Sequence, residues 1–92
     1  WQNDAITIRL TGEQTQGLFT LTEDAMKPTF KLGLHLHRKH AETFHILEGE
    51  VEFRLGSQTI IATPGTTIHV PPNTPHGARV VNGRDARMLM LY

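Results

Sequence analysis

The chain has 92 residues, too few for more than one domain, and nine basic residues balance nine acidic ones at a formal charge of +0. That balance excludes the basic face of a nucleic-acid module, and the absence of cysteine excludes disulfide staples, thiol catalysis and thiolate metal sites. No apolar run approaches the roughly 20 residues of a membrane span, and no signal pattern is visible, so a soluble, cytoplasmic protein is expected. Because the first residue is Trp1, we expect a processed chain or part of a longer one.

The predicted elements are short strands between dense turn signals. Ile6, Ile8 and Leu10 alternate with Thr7 and Arg9. The stretch from Thr22 to Lys27 is expected to make one helical turn at best. Phe30, Leu32, Leu34 and Leu36 alternate with Lys31, Gly33, His35 and His37, which predicts a strand with the aliphatic side chains on one face and both histidines on the other. Val51, Phe53 and Leu55 alternate with Glu52 and Arg54 after a predicted hairpin at Glu48-Gly49-Glu50. Further turns are expected at Gly56-Ser57, Pro64-Gly65, Pro71 to Pro75 and Asn82-Gly83. The run Met88 to Tyr92 is apolar on both faces, as in an inner strand or a dimer contact. The pattern predicts an all-β sandwich or barrel filling one domain, residues 1–92.

Chemistry is to be sought at the histidines, four of whose six lie between residues 35 and 45. His35 and His37 are two apart on one strand, which sets their Cα atoms roughly 6.6 Å apart, close enough for two imidazoles to converge on one ion. Glu42 follows a polar bend, Arg38 to Ala41, that can turn its carboxylate to the same point. His76 follows a proline-rich turn and can supply a fourth ligand from an opposing strand. His40 is expected in solvent, His45 facing away from Glu42, and His69 packed in its strand. Phe44, two residues beyond Glu42, is the aromatic expected to border a cavity. Glu48, Glu50 and Glu52 read as a solvated face, Arg54 and Arg87 as strand-surface cations, and Ser57, the only serine, sits in a turn where no triad is expected.

The segment His35-Leu36-His37-Arg38-Lys39-His40-Ala41-Glu42, followed six residues later by Gly49, resembles the first motif of the cupin superfamily. Gly65, Pro71, Asn73 and His76 resemble the second motif, fifteen residues further on. Two positions depart from it. Asn73 replaces a glycine but tolerates a left-handed backbone, and Val80 replaces an asparagine that is structural rather than a ligand. The resemblance implies a six- to eight-stranded jelly-roll β-barrel of two antiparallel sheets, a homodimer, and a metal site on His35, His37, Glu42 and His76. Three imidazoles and one carboxylate suit one divalent ion among Fe, Mn, Ni, Cu, Co and Zn. By that resemblance the chain is a metal-dependent, quercetinase-like dioxygenase of a small enol, phenol or diketone, with Glu42 also receiving the substrate proton. A metal-dependent sensor without turnover, and an isomerase or lyase that uses no dioxygen, are the alternatives.

Overall fold

The computed structural model describes residues 4–36 and 38–92. His37 lies outside the described residues, as does the side chain of Asp4. Period-two sequence becomes nine strands: β1 (Asp4–Leu10), β2 (Leu21–Met26), β3 (Lys31–His35), β4 (Glu42–Glu48), β5 (Glu50–Leu55), β6 (Gln58–Ala62), β7 (Thr67–Val70), β8 (His76–Val81) and β9 (Ala86–Leu91). They form a five-stranded sheet in the order β1-β2-β9-β4-β7 and a four-stranded sheet in the order β3-β8-β5-β6. Every pairing is antiparallel. The all-β jelly-roll expectation holds, with nine strands among the described residues rather than six to eight. Among the described residues no helix is long and apolar enough to cross a membrane.

Two elements differ from the sequence reading. Residues 22–26 belong to β2 rather than to a helical turn, and Lys27 lies just past its end. Thr22, Asp24 and Met26 alternate inward there, but two of the three are polar, so the hydrophobic signal of the strand is weak. The segment Glu48-Gly49-Glu50 is not a hairpin, because β4 and β5 lie in different sheets. Gly49 carries the crossing at φ 77°. The Gly56-Ser57 turn is a true hairpin, with Leu55 opposite Gln58 across β5 and β6.

The core lies between the sheets. Met26, Phe44, Ile46, Val51, Phe53 and Met88 fill it, each 3% exposed or less. Residues 88–91 of the apolar C-terminal run lie in β9, the middle strand of the larger sheet, which packs one face on the core. Met88 is buried in the core, while Leu89 and Leu91 are only half-buried on the outer face.

That outer face carries a row of alternating charge. Glu23 accepts from Arg9 at 3.0 Å and also from Arg87, and Arg87 donates to Glu48 at 3.0 Å. The hydrogen bonds from Arg87 and then Arg9 hold the Glu23 carboxyl below its ordinary value of 4.5. A carboxylate depressed in the folded state contributes stability above its unfolded pKa and loses it as pH falls through its folded pKa. Denaturation midpoints of wild type and Glu23→Gln, followed downward from pH 6, are therefore expected to converge once the pH is below the folded value. A gap that stays constant would contradict this account. On the other sheet Glu52 and Arg79 pair through Oε2 and Nε at 2.6 Å.

Candidate metal centre

The strand carrying His35 is irregular, and the irregularity makes the site. Leu32 lies opposite Ala78, and the next matched pair is His35 opposite His76. Gly33 and Leu34 thus face one residue, Gly77, as in a β-bulge. The bulge reverses side-chain parity. Phe30, 4% exposed, and Leu32 face the core together with His35, while Leu34 and Leu36 are 55% and 39% exposed. The uniform alternation read from the sequence therefore fails after Leu32. His35 shares the inner face with the aliphatic residues instead of opposing them.

Gly77 is required at that crossing. A Cβ there would lie 2.8 Å from the Leu32 carbonyl oxygen and 3.3 Å from the Gly33 carbon, both backbone atoms. Gly77→Ala is expected to push the bulge outward and move His35, weakening metal affinity by about 10-fold, at the low end of the loss seen when support of a ligand is removed. Gly33→Ala, with nothing within 4 Å of its added carbon, should leave affinity unchanged. Metal titration of both variants checks the pair.

The bend after β3 returns the chain into β4, where Glu42, Phe44 and Ile46 point inward. His76 opens β8 beside His35. The result is a cluster of His35, Glu42 and His76 whose ligand atoms all lie within 4.8 Å of one another. His76 Nε2 is 3.0 Å from Glu42 Oε1, and the two imidazole centroids are 4.2 Å apart. Glu42 is 8% and His76 2% exposed. Buried charge of this kind is kept only when it is paired or coordinates an ion.

Each imidazole is oriented by its own backbone. His35 Nδ1 donates to the Gly33 carbonyl at 3.0 Å, and His76 Nδ1 donates to the Thr74 carbonyl at 2.9 Å. A carbonyl only accepts, so both Nδ1 atoms carry protons and both Nε2 atoms are left for the cluster. His76 Nε2 and Glu42 Oε1, 3.0 Å apart, are close enough for one ion to be held by both. The donor set and spacing fit a first-row divalent ion.

The cluster opens on a cavity of about 470 Å³ bounded chiefly by apolar side chains, including Phe30, Leu32, Phe44, Phe53, Met88 and Met90. Phe44 lies with its ring centroid 6.4 Å from that of His76. His40 is exposed in the bend, yet it also lines the cavity, with its ring centroid 6.4 Å from that of Tyr92. Met88, Met90, Tyr92 and Asp24 line the cavity as well and were not singled out from the sequence as site residues. Strand parity offers a signal for the first three, since positions 88, 90 and 92 share one face. His45 is on the outer face, bonded to Thr67 Oγ1 at 2.7 Å. His69 is not packed in its strand. It is exposed and bonded to Thr43 Oγ1 at 2.9 Å, because the register turns it outward between buried Ile68 and Val70.

A family model for the cupin domain matches residues 22–92. The chain belongs to the cupin family. A 68-residue stretch is 34% identical to a quercetin 2,3-dioxygenase of Bacillus subtilis, covering 74% of this cupin and 20% of that protein. The chain thus spans about a fifth of the curated relative it matches. Among solved structures, a predicted oxalate decarboxylase of Thermotoga maritima superposes with a TM-score of 0.90 at 19% identity, over 96% of this chain and 77% of that one. KdgF from a Halomonas species superposes at 0.83 with 16% identity, over 99% and 79% of the respective chains. At these identities the structural neighbours show the fold. The cupin framework places the two motifs together: Asn73 takes a positive φ of 62° in the turn before β8, and Val80 keeps its backbone bond to the Phe30 carbonyl at 3.2 Å.

Proposed function

We propose that this cupin is a metal-dependent dioxygenase of a small enol, phenol or diketone, with its ion held by His35, Glu42 and His76. His37, the remaining motif histidine, belongs to the same proposed ligand set. The observation that carries the reading is the inward His-Glu-His cluster opening on an apolar cavity of about 470 Å³, a size in the usual range for small-molecule sites. The partial identity to a quercetin 2,3-dioxygenase supports the choice of reaction.

A bound transition ion would supply positive charge for a deprotonated substrate oxygen and a redox partner for dioxygen. The chain's own residues do the rest. The Gly33 and Thr74 carbonyls fix the His35 and His76 rings, so both Nε2 atoms are preorganised. Phe44, Phe53 and Met90 exclude water and present flat or polarisable surface to an aromatic or enolic substrate. Glu42, whose carboxylate is buried at the cavity, accepts the proton that the substrate hydroxyl gives up on binding. The reading includes a single cupin domain over residues 1–92 and a homodimer.

The test is oxygen uptake by protein reconstituted separately with iron, manganese, copper, cobalt, nickel and zinc, offered quercetin and acetylacetone. Uptake of about one dioxygen per substrate consumed, with at least one redox-active ion, is expected. Product formation under argon would replace the proposal with an isomerase or lyase. Tight binding of an unchanged ligand would replace it with a sensor.

A further inference from the structure

The outer face of the smaller sheet carries a second hollow, of about 300 Å³, which His35, Glu42 and His76 do not line. Its floor follows from the bulge. Gly77 on β8 sits between Arg54 on β5 and the Gly33–Leu34 bulge on β3, so one row of the sheet has two neighbouring positions without a side chain. In the next row Glu52, Arg79 and Lys31 lie in register, and all three are charged. Leu34, exposed beside Gly33, adds an apolar wall. Gly77 is required by the close approach of the Leu32 carbonyl, but nothing in the fold requires Gly33. Its φ is not positive, and an added Cβ would meet nothing within 4 Å. A bulge outside the left-handed region needs no glycine. A glycine inside a strand weakens it and often marks a place where another molecule approaches the backbone closely.

The rim of the hollow is cationic. Lys31, Arg54 and Arg79 line it with a single carboxylate, Glu52. Arg79 binds Glu52 through two hydrogen bonds, of 2.6 and 3.2 Å, so that pair is matched. Lys31 and Arg54 are exposed and make no ion pair or side-chain hydrogen bond with the described residues. Arg54 attracts Glu52 through space without bonding to it. The two cations stand two strands apart, roughly 10 Å, on either side of the glycine floor, with side chains long enough to meet above it. We infer that this hollow is a binding site for a flat organic anion, its phosphate or carboxylate head held by Lys31 and Arg54 and its planar body lying on Gly33 and Gly77 against Leu34. An ammonium and a guanidinium together give an oxyanion charge-assisted hydrogen bonds. A floor without side chains admits a flat body and excludes a bulky one. Leu32, Gly77 and Ala78 line both hollows, so the β3–β8 backbone divides this site from the metal cavity. The inference goes beyond the proposed dioxygenase and does not depend on it.

The site is tested without metal chemistry. Phenyl phosphate, benzoate, inorganic phosphate and phenol are titrated into chelator-treated protein in about 0.15 M salt, which screens unselective surface attraction. The amide NMR shifts of Lys31, Gly33, Arg54 and Arg79 are followed. Phenyl phosphate is expected to bind about 10-fold more tightly than inorganic phosphate or phenol, since each of those lacks one half of the contact. Benzoate acting on the same amides supports the inference equally, and makes the preferred head a carboxylate where it is the tighter of the two. Replacing both cations, Lys31→Gln with Arg54→Gln, should lower phenyl phosphate affinity by about 10-fold or more. Gly33→Val, which fills the floor, should remove its advantage over inorganic phosphate. No saturable shifts at these amides, or shifts confined to Glu42 and Phe44 in the metal cavity, would overturn the inference. So would equal affinity for phenyl phosphate and inorganic phosphate, or unchanged affinity in the double variant with native amide dispersion. Metal content and oxygen uptake decide the dioxygenase reading separately.

Discussion

His76→Ala is expected to lower Co(II) affinity by more than about 100-fold while the barrel stays folded. Loss of groups that merely orient a ligand costs roughly 10- to 100-fold in metal affinity, and His76 is proposed as a ligand itself. It is 2% exposed, its Nδ1 is held by the Thr74 carbonyl, and its Nε2 points at Glu42 Oε1 from 3.0 Å. Removing the ring deletes one donor and the partner of a carboxylate that is only 8% exposed. The metal-free variant is therefore also expected to be less stable than metal-free wild type. His45→Ala is the matched control, because that imidazole faces outward and bonds Thr67. Titration of Co(II) followed by its visible absorption reads all three proteins. Equal affinity in wild type and His76→Ala would remove His76 from the site.

Gly49→Ala is expected to destabilise the fold by about 3 kcal/mol, a fall in Tm of roughly 15 °C for a domain of this size. Gly49 has φ 77°, where a side chain costs on the order of 1–2 kcal/mol. The added carbon would also sit 2.5 Å from the Asp85 carbonyl oxygen and 2.8 Å from Ala86 Cα, so the start of β9 must move. Gly65→Ala separates the two causes. Gly65 has φ 89° but nothing within 4 Å of the added carbon, so only the backbone cost of about 1 kcal/mol is expected. Equal losses in the two variants, read by thermal and urea denaturation, would show that crowding at Gly49 contributes nothing.

Period-two alternation and closely spaced turns suffice for an all-β sandwich, since each strand must bury one face. The spacing of His35, Glu42, Gly49, Gly65 and His76 suffices for the family. What alternation cannot show is where a strand changes parity. The bulge at Gly33 and Leu34 depends on the close approach of Gly77, which lies 44 residues away in sequence. Uniform alternation therefore puts His35 opposite Leu32, whereas the fold puts them on one face. Nor does a turn signal say whether the chain pairs with itself or crosses to another sheet. Gly56-Ser57 does the first and Gly49 the second, although both glycines have positive φ. Asp24 carries no inward signal in the sequence. A polar residue facing inward from β2 reads as a surface residue until the strand is placed over the cavity.

The most direct test of the central claim is anomalous diffraction from crystals of the protein loaded with Mn(II) or Co(II), collected on both sides of the metal absorption edge. One anomalous peak per chain is expected, within bonding distance of His35 Nε2, Glu42 and His76 Nε2. No peak there in metal-saturated crystals, or a peak only at other side chains, would contradict it.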